Sequence, residues 1–186
     1  VTWRRVHGIY AKGKGRTNEV EAKAIVAETV KRLVEPAFKK SGWTIAIITL
    51  NGDQQALIEN LLDAARREHP EIEPYFDQTL PEPVVVKSLE TVQGDERDVI
   101  FLGVGYGPTD PGAGTMSMNF GPLNRDGGER RLNVAITRSR REMVVFTSFD
   151  PSMIDLNRTS ARAVRDLKHF LEFADRGPRA LGEAVH

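Results

Sequence analysis

The sequence predicts an α/β domain with a mainly parallel sheet, and three observations carry that expectation. Residues 43–50 (Trp43 to Leu50) and 99–102 (Val99 to Leu102) are nearly continuous apolar runs, the pattern of strands covered on both faces. Between such runs apolar residues fall at helical spacing, at Ala22, Ile25, Val26, Val30 and Leu33 and again at Ala56, Leu57, Leu61, Leu62 and Ala65. Glycine, proline and asparagine stand at the boundaries, where chain reversals need them. Strands that alternate with helices are joined by crossovers and build a parallel sheet.

Taken in order, Val1, Trp3 and Tyr10 suggest an opening strand, followed by a flexible basic loop from Lys12 to Arg16. Asn18 is placed to cap the first helix, with Glu19 and Glu21 in its first turn and Pro36 near its end. The strand from Trp43 to Leu50 turns at Asn51-Gly52-Asp53, and Asp53 is expected to cap the next helix, which His69-Pro70 ends. A proline-interrupted connection follows, with a short extended piece at Tyr75-Phe76. Val84 to Val86 and Val99 to Leu102 read as further buried strands, separated by the polar turn from Thr91 to Asp98. Residues 103–128 are rich in glycine and form a long irregular excursion, which in a compact domain is functional or mobile. A short helix over Leu132 to Ile136 leads into the strand from Glu142 to Thr147. Val164, Leu167, Phe170 and Leu171 mark a last helix that Gly177-Pro178 stops, leaving residues 177–186 as a frayed tail. No internal repeat or domain boundary interrupts residues 1–186, so one domain is expected.

The 26 basic and 26 acidic residues cancel, which excludes a strongly basic binder but leaves a local basic surface open. The absence of cysteine excludes disulfides and thiolate zinc sites and fits a reducing compartment, so a cytoplasmic protein is expected. No apolar run reaches membrane-spanning length, and no membrane partner is expected. Val1 in place of Met marks either a processed start or a piece of a longer polypeptide.

The stretch from Glu129 to Arg141 concentrates the chemistry. Arg131, Ala135 and Arg138 are spaced four and three apart, so they lie along one helix face, with a small residue beside guanidiniums that match phosphate oxygens. Gly8-x4-Gly13-Lys14 imitates a phosphate-binding loop, but Gly15 stands where a magnesium-binding Ser or Thr is required and the helix starts too late. Asp95, Glu96 and Asp98 share one turn with Arg97, a poor arrangement for metals, and the four histidines lack ligand spacing. No metal site is expected.

Gln93-Gly94-x-Glu96-x-Asp98, set beside Arg130 to Arg138, resembles motifs V and VI of superfamily 1 helicases, in the branch that contains the nonsense-mediated-decay RNA helicase and its bacterial relatives. Ile47-Ile48-Thr49-Leu50-Asn51-x-x-Gln54 resembles motif IV, and Arg16-Thr17-Asn18-x-x-Glu21-Ala22 resembles the motif that opens the second motor domain. The resemblance implies a three-layer RecA-like fold of the P-loop NTPase type. It implies the C-terminal motor domain of an ATP-dependent DNA or RNA helicase or translocase. ATP, with Mg2+ held mainly by the first RecA-like domain of the same polypeptide, would lie between the two domains.

Under that resemblance Arg138 is the arginine finger, and Gln93, Gly94 and Glu96 serve the nucleotide, together with Arg131 and Arg16. Thr49, Asn51, Ser88 and Thr91 would hold the backbone of a single-stranded nucleic acid. Glu19 occupies the position at which some relatives carry a second finger, so either Arg16 substitutes or that finger is missing. Leu50 and Asn51 replace the Pro and aromatic residue often found in motif IV. The isolated chain is expected to be inactive. The polar clusters at Thr49–Asp53, at Ser88–Asp98 and on the arginine helix are all expected at the carboxyl ends of the strands, where ligands of open α/β sheets sit. The rival readings are a non-catalytic nucleic-acid-binding module and a nuclease built on the acids around Asp95.

Overall fold

The computed structural model describes residues 1–13 and 15–177. Its five strands are β1 (Thr2–Arg5), β2 (Ile45–Thr49), β3 (Val85–Ser88), β4 (Arg97–Gly103) and β5 (Ser139–Thr147). They form one sheet in the order β1-β5-β4-β2-β3, with every adjacent pair parallel. The helices are α1 (Glu19–Val34), α2 (Pro36–Ser41), α3 (Gly52–Glu68), α4 (Gly128–Ile136) and α5 (Arg162–Arg176). This is the three-layer α/β architecture expected of a RecA-like domain. Among the described residues no helix is long and apolar enough to cross a membrane.

The continuous apolar runs are explained by a core on each face. Along β4, Val99 and Phe101 point to α1 and α3, whereas Ile100 and Leu102 point to α4 and α5. β2 divides in the same way, with Ile45 and Ile47 on one face and Ala46 and Ile48 on the other. Alternate side chains leave opposite faces of a strand, so a strand covered twice needs apolar residues throughout. Phe101 and Phe146 meet edge-on at 5.9 Å beneath α1, and burying each ring contributes roughly 1.5–3 kcal/mol.

Several boundaries differ from the sequence expectation. Pro36 does lie near the end of α1, two residues beyond Val34, but it also opens a short further helix, α2, where its missing N–H costs nothing. Asn51, not Asp53, caps α3: its Oδ1 accepts from Gln54 N at 2.7 Å, and the helix begins two residues earlier than expected, at Gly52. The extended piece expected at Tyr75-Phe76 is the end of a 3-10 helix over Pro70–Phe76, because the closely spaced prolines set helical φ without supplying ladder donors. The expected tail lies outside the described residues beyond Gly177.

The 103–128 excursion is irregular, apart from a 3-10 turn at Gly121–Asn124, but it is anchored. Val104, Tyr106, Met116, Met118, Phe120 and Leu123 are all buried in the α4/α5 core. The excursion meets α4 at Gly128, where an added Cβ would lie 2.2 Å from the Leu123 carbonyl oxygen. The obstacle is backbone, so Gly128→Ala must separate α4 from the 3-10 turn. A loss of about 2–3 kcal/mol in urea unfolding of residues 1–186, with the slope unchanged, is expected.

Candidate functional site

The two ends of the sheet carry different chemistry, and the predicted site residues divide between them. Arg97 pairs with Ser139 at the start of β4 and β5, whereas Thr49 pairs with Ser88 and Gly103 at the ends of β2, β3 and β4. Six residue steps along β4 separate these edges, about 20 Å at strand rise.

At the amino edge, the Arg138 carbonyl accepts from Arg97 N at 3.1 Å, which brings the end of α4 against the turn that holds Gln93, Gly94 and Glu96. Those three residues are exposed, and Gly94 adopts φ +64°, which glycine tolerates without strain. Arg138 is half-buried. Its Nε donates to the Val134 carbonyl at 3.1 Å, at the negative end of its own helix. Among the described residues no carboxylate forms an ion pair with it.

Its neighbours behave differently. Arg140 donates to both Glu82 oxygens and to Asp98 at 3.2 Å, and Arg141 lies over the Trp43 ring at 5.1 Å. The Arg140 hydrogen bonds hold the Glu82 carboxyl below its ordinary range. Arg32 grips Glu142 through two bonds, at 2.8 and 2.7 Å.

The expectation that the arginine helix and Glu96 sit at the carboxyl edge is therefore corrected. The connection from β3 to β4 returns along the sheet before β4 starts, and α4 runs back to the start of β5. Arg16 is not brought to this group. It lies at the carboxyl edge with φ +53°, and its Nε donates to Asp53 at 3.0 Å. Arg131 reaches back from α4 to the carbonyls of Pro122 and Asp126, at 3.3 and 2.8 Å, and straps the end of the excursion. Asp98 is taken up by Thr44 and Arg140, and among the described residues no three His, Asp or Glu side chains gather as metal ligands.

At the carboxyl edge, Thr49 is fully buried, and its hydroxyl donates to the Asn51 carbonyl at 2.8 Å. Ser88 is buried as well, and its N–H donates to the Thr91 hydroxyl at 2.9 Å. Asn51 caps α3 and donates through Nδ2 to the Arg16 carbonyl and to the Tyr106 hydroxyl, at 3.1 and 3.2 Å. Of the four residues, Thr91 alone is exposed.

Beneath this edge lies a buried polar hub that sequence reasoning did not assemble. Asn18 Oδ1 caps α1 by accepting from Glu21 N at 3.1 Å, and its Nδ2 donates to Ser148 Oγ at 2.8 Å and to the Gly105 carbonyl at 3.1 Å. Gln54 receives the Asn18 N–H at 2.8 Å and donates back to the Asn18 carbonyl at 2.9 Å. Glu21 receives the Gly105 N–H at 2.7 Å and the Ser148 hydroxyl at 3.1 Å. Burial pushes the Glu21 carboxyl up to about 8, against the lowering effect of those hydrogen bonds.

The sequence signal for the hub is the paired pattern Asn18-x-x-Glu21 and Asn51-x-x-Gln54. Each is a helix cap followed three residues later by a side chain able to close a capping box. Here the box is crossed: Gln54 of α3 receives the cap N–H of α1. Gly8 belongs to the same assembly, since a Cβ there would lie 2.1 Å from Asn18 Oδ1. That close approach accounts for the glycine that imitates the start of a phosphate-binding loop.

The fold is thus a three-layer parallel α/β domain with Arg138 at one sheet edge and a buried polar hub at the other. Residues 5–150 match the family model described as AAA domain, and the chain belongs to that family. It is similar to the uncharacterized ATP-dependent helicase MG140 of Mycoplasma genitalium, at 34% identity over 138 residues. Its similarity to the MG140 homolog of Mycoplasma pneumoniae is 33% over 139 residues. Both alignments cover 72% of this chain and 11% of the relative, so the chain spans about a tenth of their length. Among solved structures, the C-terminal domain of a possible DNA helicase from Lactobacillus plantarum WCFS1 aligns with a TM-score of 0.42 and 15% identity. That alignment covers 69% of this chain and 67% of that one.

Proposed function

We propose that this chain is the C-terminal motor domain of an ATP-dependent superfamily 1 helicase or translocase of DNA or RNA. Arg138 is its arginine finger, Gln93, Gly94 and Glu96 meet the nucleotide, and Asn51 and Thr91 belong to its half of a single-strand groove. The observation that carries this reading is the Arg97–Arg138 backbone hydrogen bond of 3.1 Å. It sets the Arg138 backbone beside the exposed turn of Gln93, Gly94 and Glu96, and among the described residues no carboxylate pairs with the Arg138 guanidinium.

These residues fit the terminal-phosphate side of an ATP site, because guanidinium matches phosphate oxygens in a bidentate way. They do not fit a magnesium cage, since no three acidic or histidine side chains gather among the described residues. Mg2+ and the phosphate-binding loop would come from the first RecA-like domain of the same polypeptide. ATP held between the two domains supplies the phosphoryl transfer, and the contribution of Arg138 is charge stabilisation as that transfer occurs. Closure and reopening of the domain pair around the nucleotide would then move the single strand.

The test compares residues 1–186 with the full-length protein in an ATP hydrolysis assay, with and without single-stranded oligonucleotide. Strand-stimulated turnover by the full-length protein and none by residues 1–186 is expected. Turnover by residues 1–186 at the full-length rate would mean that the missing half of the site has been misassigned.

A further inference from the structure

A cavity of about 470 Å³ opens at the carboxyl edge of the sheet, between the start of α3 and the 103–128 excursion. Two tyrosines form one wall, with ring centroids 4.9 Å apart and planes inclined by 44°. Tyr106 is buried and fixed: its hydroxyl accepts from Asn51 Nδ2 at 3.2 Å, and its ring meets Phe120 at 6.1 Å. Gly121, at φ +57°, leaves room for that hydroxyl, which a Cβ would meet at 2.1 Å. Tyr10 is half-buried and presents the accessible ring.

At the rim stand two exposed guanidiniums from separate segments. Arg16 Nε reaches Asp53 at 3.0 Å, and Arg125 reaches Glu90 at 2.9 Å. Exposed single-point pairs of this kind are weak, so a phosphate can take over either guanidinium. The amides of Asn51 and Asn124 in the lining are committed to backbone groups and to Tyr106. Asn119, also in the lining, accepts from Gly121 N at 3.0 Å through Oδ1 and keeps only its amide nitrogen to offer, so the cavity presents mainly aromatic faces and cations. Stacking with backbone charge contacts is sequence-tolerant grip on a single strand.

We propose that this cavity seats one nucleotide of a single-stranded nucleic acid, with the base against Tyr10 and flanking phosphates on Arg16 and Arg125. The proposal rests on the helicase reading above. It also gives the excursion a role: its buried Met116, Met118, Phe120 and Leu123 hold Tyr106 and Arg125 in place at the groove.

The experiment is fluorescence anisotropy of labelled oligo-dT and oligo-rU with the full-length protein, across a salt series and in the absence of ATP. Tyr10→Ala is expected to weaken binding about ten-fold or more, and Tyr10→Phe to restore it, because a ring is what stacks. Arg125→Ala is expected to flatten the salt dependence by about 0.7 in slope, one phosphate contact on a single strand. Glu90→Gln is expected to tighten binding by releasing Arg125, an effect in the opposite direction that a loss of folding cannot imitate. If the wild-type protein binds the strand and both Tyr10→Ala and Glu90→Gln leave affinity unchanged, the cavity is not the site and the helicase reading stands. A wild-type protein that binds no strand and shows no strand-stimulated turnover removes both. If dTMP competes as well as the oligomer, nucleotide for nucleotide, the occupant is a free nucleotide and the proposal of a strand is overturned.

Discussion

Arg138→Ala in the full-length protein is expected to lower kcat for ATP hydrolysis by about a thousand-fold or more, with the Kd for ATP changed only several-fold. Removal of an arginine finger costs that much because the guanidinium meets charge that develops only as the phosphoryl group transfers. The fold should survive the change. The Arg138 carbonyl that ties β4 to β5 is backbone and remains in alanine, and the side chain's hydrogen bond is to Val134, one turn back in its own helix. Loss of a guanidinium from a helix C-terminus costs roughly 0.3–1 kcal/mol. Arg138→Lys should restore stability but not turnover, since an ammonium cannot reproduce the planar bidentate fork. Single-turnover hydrolysis and equilibrium binding of a fluorescent ATP analogue separate the two quantities. Equal loss of binding and turnover would assign Arg138 to structure.

The sheet was legible in the sequence because a strand covered on both faces carries a continuous apolar run, as β2 and the core of β4 do. The sheet edge at which each motif lies was not legible. That depends on the path between strands, and the polar turn from Thr91 to Asp98 gives no sign that the chain is returning along the sheet. Leu89 and Val92, buried against the α4/α5 core, mark that return, but two apolar residues in a polar turn carry no direction. Thr49 and Ser88 illustrate a second limit. Small hydroxyl residues at strand ends serve ligands and buried turns alike, and only the fold shows these two beneath the surface. The hub was visible only in halves, because its crossed capping joins residues 36 apart in the chain.

Glu21 makes the stability of this domain pH-dependent in a direction opposite to most acidic residues. Its folded carboxyl is raised to about 8 from an ordinary value of 4.5, with burial as the main cause. Below the unfolded value both states hold the proton, and Glu21 contributes its full stability. As pH rises from there towards the folded value, the unfolded chain releases the proton while the folded one retains it. Stability then falls by about 1.4 kcal/mol per pH unit and levels off once the folded carboxyl also ionises.

Glu21→Gln keeps an acceptor for the Gly105 N–H and cannot ionise; with an amide nitrogen in place of the oxygen that receives the Ser148 hydroxyl, that hydroxyl must turn to accept instead of donating. Urea unfolding of residues 1–186 from pH 5 to 9 should show wild type and variant close together at the acid end and the variant increasingly more stable towards pH 9. Asn18, Gly105 and Ser148, the hydrogen-bonding neighbours of the carboxyl, do not titrate in that range, so the difference between the two curves belongs to Glu21 itself. Parallel curves for the two proteins would show that Glu21 is already ionised when folded. The hub would then be a charged clamp on the Gly105 and Ser148 loops instead of a neutral one.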